Sequence, residues 1–339
     1  MLRVIFLLGL LVLLSQHNLC KGHAEDDLHP ALVNANERKI DVYVGPSSDF
    51  KTIQAAIDAV PLENKRRYII HVASGVYRER ITIPASKDFI TLLGNFDDKF
   101  ATIVVSAGNE PTLSVQNDAP FVYAGAVEEQ QSNTVAVQVS GDFAAFYDCF
   151  ITSSQHTLSE DRGRHFYKRT FIQGSINFIT GQGRSLFQVN MKLKKNCFVR
   201  DAYMINSLRA QECNIVSNSR NNTGGITLQS KPERSWGYSF VNSYFGGTGQ
   251  LSFGHPWKDF ARVVLISSYF DEVVIPNNWD RWPYNNGNGN VLFAEYDSQG
   301  PGAVPTKLAN WVKHLSEEEA QDYSSIAFVD GEEWLFLEV

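Results

Sequence analysis

From Tyr68 onward the chain is built of short β-rich runs: Tyr68-Ile69-Ile70-His71-Val72, Arg80-Ile81-Thr82-Ile83 and Ile90-Thr91-Leu92-Leu93, broken by Gly, Asn, Asp and Ser. Branched and aromatic residues in runs of this length, bounded by turn formers, predict strands. A degenerate unit then recurs, a small or polar residue followed by an apolar pair: Cys149-Phe150-Ile151, Thr170-Phe171-Ile172, Cys213-Asn214-Ile215, Ser243-Tyr244-Phe245 and Ser268-Tyr269-Phe270. Adjacent copies lie roughly 20 to 30 residues apart, the size of one solenoid coil. The pattern predicts an all-β chain, a right-handed single-stranded parallel β-helix with short capping helices. A β-sandwich of similar strand content would show more tight hairpin signals such as Asn-Gly between paired strands.

Two helices stand out from this background. Thr52 to Val60 sets Ile53, Ala56, Ile57 and Val60 on one face, and Pro61 stops it. Near the other end Ser316-x-x-Glu319 is a capping box that opens a helix from about Glu317 to Tyr323, expected to close the end of the solenoid.

At the start, Met1-Leu2-Arg3, the apolar run Val4 to Leu14 and the polar stretch Ser15 to Ala24 read as a signal peptide over 1–23, followed by a lead-in over 24–40 and the β-helix domain over 41–339. The expectation is a secreted, extracellular protein with no membrane partner. Asn221-Asn222-Thr223 is a glycosylation sequon that suits a secreted surface loop, with Asn221 the acceptor.

Hydrophobic residues make up 43% of the 339 positions, ample for a packed core. The net charge of −7 argues against nucleic acid, and it requires any acidic ligand to be held by local groups. Of four cysteines, Cys20 lies at the signal boundary; Cys149, Cys197 and Cys213 remain, an odd number that cannot all pair.

Seven motifs in order carry a family resemblance from about Asp41 to Trp334. They are Asp49-Phe50-x-Thr52-Ile53-Gln54-x-Ala56-Ile57, Gly75-Val76-Tyr77-Arg78-Glu79, Gly141-Asp142-Phe143-Ala144-Ala145-Phe146-Tyr147-x-Cys149, Gln155-x-Thr157-Leu158, Gly174-Ser175-Ile176-x-Phe178-Ile179, Pro256-Trp257 with Arg262-Val263-Val264, and Gly300-Pro301-Gly302-Ala303. The chain resembles the plant-type pectinesterases (pectin methylesterases). The resemblance implies a pectin lyase-like solenoid in the cell wall, with a shallow cleft that binds methyl-esterified homogalacturonan and hydrolyses its methyl esters to methanol without cofactor or metal. A monomer is expected.

The family's chemistry uses one carboxylate as nucleophile and a second carboxyl as acid and base. Glutamine amides serve the oxyanion, and an arginine orients the nucleophile. The resemblance places Asn177 at the nucleophile position, His156 at the acid/base position, Gln155 and Asn133 at the two oxyanion positions, and His255 at the arginine position. Gln155 alone keeps the family's residue; Gln130 and Gln131 lie just upstream of Asn133 as substitutes if the register slips. Phe178, Trp257 and Trp282 are candidates to present rings to a sugar chain.

An amide cannot attack an ester as a carboxylate does, so impaired catalysis is expected. The alternative is a non-catalytic, pectin-binding pseudoenzyme. His156 as general base on water and a zinc site from His156, His165 and His255 are weaker readings, since no triad or ligand spacing supports them. A calcium-dependent lyase would need acidic clusters that these motifs lack.

Two irregularities remain. Between Thr102-Ile103-Val104 and Gln116-Asn117 the chain is short against the family pattern, and a missing part of a coil is expected there. Segment 189–211 is a possible insertion: removing it joins Gln188 to Glu212, brings Phe171 and Asn214 to a one-coil separation, and matches a translated intron remnant better than a coil or a basic pectin-binding loop.

Overall fold

The recurring units stack on one another as rungs. Phe150 pairs with Phe171, Phe171 with Asn214, Asn214 with Tyr244 and Tyr244 with Tyr269, all in parallel register. The structure is a computed structural model that describes residues 40–95, 102–106, 110–129, 135–188, 213–229, 236–256, 260–275, 279, 290–304 and 311–335, without the side chains of 129, 220–224, 229 and 255. The signal peptide, the lead-in up to Lys39, Asn133, Trp257, Trp282 and segment 189–211 lie outside the described residues.

Every strand pair within them is parallel. An 11-stranded sheet runs the length of the chain, and a 13-stranded one forms the other two faces. These two faces connect because strand Asn214–Gln229 pairs with Phe171–Gly174 through its first part and with Ile179–Gly181 through its last. The result is a three-faced right-handed parallel β-helix, the hand that right-twisted strands impose on parallel crossovers.

Inward positions fill the solenoid with stacked aromatic rings. Phe146 lies over Tyr167 at 4.9 Å, Tyr167 over Phe187 at 4.6 Å and Phe187 over Phe240 at 4.5 Å, with interplanar angles of 6°, 11° and 12°. The small residues that precede each rung also line up inward: Cys149, Thr170, Cys213, Ser243 and Ser268 are all buried. Cys149 and Cys213 lie buried two coils apart, and burial pushes the Cys213 thiol up to about 11.

The first helix spans Ile53–Asp58. Thr52 caps it, and the Glu79 carboxylate accepts from the Ile53 and Gln54 amides at 2.8 and 3.0 Å, which gives the Tyr77-Arg78-Glu79 motif its structural purpose. The capping box is present at Ser316 and Glu319, and its helix spans Glu317–Ser324. It does not close the solenoid's end. Gln188 Nε2 donates to Ser324 O and Ser239 Oγ to Tyr323 O, so the helix lies along the outside of the 11-stranded sheet. The helix packs on strands Tyr238–Val241 and Arg262–Ile266 and the turn Ile326–Val329 that follows it packs on Arg184–Gln188, where the outward Val264 and Leu186 are buried.

The expected loss of part of a coil is not found. Thr102–Ser106 pairs with Gly75–Arg78 on one side and Ala126–Glu129 on the other, and Leu113–Val115 pairs with Ile81–Ile83 and Val137–Val139. Both strands keep their neighbours on either side, and a connection between strands can shorten without removing a rung.

The two described residues that bracket segment 189–211, Gln188 and Cys213, lie close together. Phe171 pairs with Asn214 although they lie 43 residues apart in sequence, and Cys213 Sγ is 3.6 Å from Gln188 O. Deleting 189–211 is expected to keep the β-sheet circular dichroism and to raise stability by on the order of 1 kcal/mol, because a shorter connection costs less closure entropy. A deletion variant that unfolds makes the segment an indispensable part of the fold.

Candidate active site

The candidate residues fall at the corner between two faces. After strand Phe150–Thr152 the chain turns through Gln155 and His156 into Leu158–Glu160; one coil later, Phe171–Gly174 turns through Ile176 and Asn177 into Ile179–Gly181. Gln155 bridges Ile176 in parallel, so His156 and Asn177 occupy the same corner of successive coils. Coils stack about 4.8 Å apart.

Both residues have left-handed backbone, with φ of 52° at His156 and 45° at Asn177. Asn, Asp and His are the side chains that enter this region most readily after glycine, so the turn itself restricts which residues can stand there. His156 is exposed; Gln155 and Asn177 are half-buried. Next along the stack comes Gly225, where an added Cβ would lie 2.8 Å from Asn177 Oδ1. This glycine gives the Asn177 amide its space.

The corner is held by bonds between coils. The Ser175 amide donates to Ser154 O at 2.7 Å, and buried Thr157 donates its hydroxyl to Gln173 O at 2.8 Å. At Gly174 a Cβ would meet Phe178 Cβ at 2.3 Å, so the motif glycine admits the Phe178 side chain beneath the turn.

Phe178, expected to offer a ring to a sugar chain, is fully buried and belongs to the hydrophobic core. It follows the left-handed Asn177, and the chain direction there turns its side chain inward into the core. His255 lies on the strand Tyr244–Pro256 paired with Leu228. Since Ile179 pairs with Thr227 and Thr227 with Gly254, the backbone of His255 is two coils from that of Asn177 on the same face.

Among the described residues no hydrogen bond joins a serine of the corner to His156. Ser153 Oγ donates to Gln155 O at 3.3 Å and Ser159 Oγ to Asp161 Oδ1 at 2.8 Å. His165 lies inside the solenoid, fully buried against Glu160, and not at the corner with His156. Among the described residues no three His, Cys, Asp or Glu side chains cluster to hold a metal ion.

The Gly141-Asp142-Phe143 motif is structural. The Asp142 carboxylate takes bonds from the Arg164 amide at 2.6 Å and from its guanidinium, which also reaches Asp330 at 3.0 Å and so ties the C-terminal segment to the coils. Burial alone would raise the Asp142 pKa; the Arg164 bonds outweigh it and hold the carboxyl below its usual range. The sequence offers Thr157 as a motif residue but does not single out Gly225 or Glu160 as parts of the site region. The only signal for Gly225 was a glycine pair in a strand-like run.

Fold and corner together define a parallel β-helix protein that carries its candidate chemistry on the outside, where two faces meet. The pectinesterase family model matches residues 40–332, and the chain belongs to that family. It is 33% identical to probable pectinesterase 67 of Arabidopsis thaliana over 319 residues, 89% of this chain and 86% of that protein, and 35% identical to putative pectinesterase 11 of the same plant over 300 residues, 85% and 78% of the two chains. Among solved structures it is similar to the pectin methylesterase from carrot, at 26% identity and a TM-score of 0.75, covering 88% of this chain and 95% of that one.

Proposed function

We propose that the protein acts on cell-wall pectin as a secreted pectinesterase-family member whose hydrolysis of homogalacturonan methyl esters is impaired. The observation that carries this reading is the pair of stacked residues, Asn177 and His156, at the positions where the family resemblance calls for carboxylates. The Asn177 amide lacks the charge that a nucleophile needs, and the His156 imidazole has no described bond to a serine that it could activate. Gln155 remains available to an oxyanion, with no hydrogen bond to its side-chain amide among the described residues. Trp257 and Trp282 are proposed as sugar-facing rings, Asn133 and His255 as relics of the oxyanion and arginine positions, and Asn221 as a glycan acceptor.

Purified protein assayed in parallel for methanol release from methylated pectin and for retention on pectin tests the proposal. Binding without methanol is the expected outcome. Robust turnover overturns the impairment; neither binding nor turnover overturns the role in pectin modification.

A further inference from the structure

Four residues beyond His156, Glu160 turns into the solenoid and is fully buried, as are His165 on Arg164–Lys168 and Ser185 on Arg184–Gln188. His165 Nδ1 meets Glu160 Oε2, and its Nε2 lies 3.0 Å from Gly141 O. Ser185 Oγ donates to the same Oε2 and stands 3.4 Å from Nδ1. A backbone carbonyl only accepts, so Nε2 carries a proton. The carboxylate oxygen that already accepts from Ser185 faces Nδ1 as a second acceptor, which calls for a proton there too.

The cluster joins the two coils of the candidate site. Glu160 ends the strand that follows His156, and its carbonyl accepts the Gln182 and Gly183 amides, at 2.6 and 2.9 Å, just past the strand that follows Asn177. We infer that His165 is an imidazolium held against the Glu160 carboxylate, a charged staple inside the solenoid whose deprotonation loosens the coils that carry His156 and Asn177.

The charged and titratable groups around His165 are Glu160 from the facing strand, Asp142 from the turn at Gly141, and the buried Tyr167 and Tyr238 of the same sheet. Burial pulls the His165 pKa down, but the Glu160 charge and bond, the Gly141 carbonyl and Asp142 outweigh it, and the net direction is upward. A folded value above the unfolded one means that the stabilisation is complete below about pH 6.5 and is lost as pH rises through the folded value. The folded-to-unfolded ratio then falls up to about tenfold per pH unit. Glu295 acts in a lower window: burial pushes its carboxyl up to about 7, so its own loss of stability runs from the ordinary carboxylate range to there, and Glu295→Gln removes it.

The direct test is a long-range proton–nitrogen NMR spectrum of the full chain labelled at histidine, with His165 assigned through its contacts with Ser185 and Gly141. Both ring nitrogens are expected to be protonated above about pH 7. A single protonated nitrogen, which marks a neutral imidazole beside a neutral carboxylic acid, overturns the inference. In the Glu295→Gln background, urea unfolding from about pH 6.5 to about pH 9 is expected to lose its downward slope when Glu160→Gln is added. An unchanged slope also overturns it, and if that variant does not fold, the spectrum of the unmodified protein decides.

Discussion

Methylated pectin incubated with the purified chain is expected to release no more methanol than with a boiled control. The nucleophile of a residue set that acts as a unit accounts for nearly all of the set's effect, and its removal costs on the order of a millionfold in rate. The family resemblance places Asn177 at that position. Restoring it alone is expected to be nearly silent, because a carboxylate at 177 would still lack the arginine at 255 and an acid at 156, one coil away. The backbone will accept the repair: Asp enters the left-handed region nearly as readily as Asn and His, so Asn177→Asp and His156→Asp suit the φ values of 45° and 52°. Methanol release is therefore expected only when both are combined with His255→Arg. A large gain from Asn177→Asp alone shows that the other two positions are dispensable. Turnover by the unmodified chain that His156→Ala abolishes reveals a histidine-based mechanism instead.

Phe187→Ala is expected to cost about 3–5 kcal/mol, a large share of the roughly 5–15 kcal/mol that holds a typical domain folded. Its ring is fully buried, sandwiched between Tyr167 at 4.6 Å and Phe240 at 4.5 Å, with Tyr238 edge-on at 6.2 Å. Truncation leaves a void in the middle of a stack whose neighbours are fixed to strands on both sides, so the site cannot collapse around it. Phe171→Ala is the control. Phe171 is also stacked, on Phe150 at 4.6 Å, but it faces outward and is half-buried, so its loss is expected to cost less than about 2 kcal/mol. Urea unfolding of both variants checks the difference, and equal losses would place the stability outside the inner stack.

Much of this was legible in the chain alone. The spacing of Cys149-Phe150-Ile151 and its four later copies determined the rungs and their register, because each coil repeats one environment and each environment selects the same kind of side chain. Ser316 announced one helix start, since a cap is a local hydrogen bond, and the apolar face of Ile53, Ala56, Ile57 and Val60 announced the other helix. The substitutions at 156, 177 and 255 were visible as letters against the resemblance.

What required the tertiary structure were the relations between coils. The direction of Phe178 depends on the left-handed turn before it, and periodicity does not report a single reversed φ. The short stretch before Gln116 looked like a lost rung because sequence length does not distinguish strand from turn; pairing on both sides of Thr102–Ser106 and Leu113–Val115 does. The end of the solenoid is not where the helix after Ser316 packs, because its cap defines where it starts and only the outer surface of strands Tyr238–Val241 and Arg262–Ile266 defines where it docks. Glu160, His165 and Ser185 lie on three strands, and nothing local to any of them marks it as buried. Their charges meet because the coils stack, a fact of long-range packing that the sequence contains but does not display.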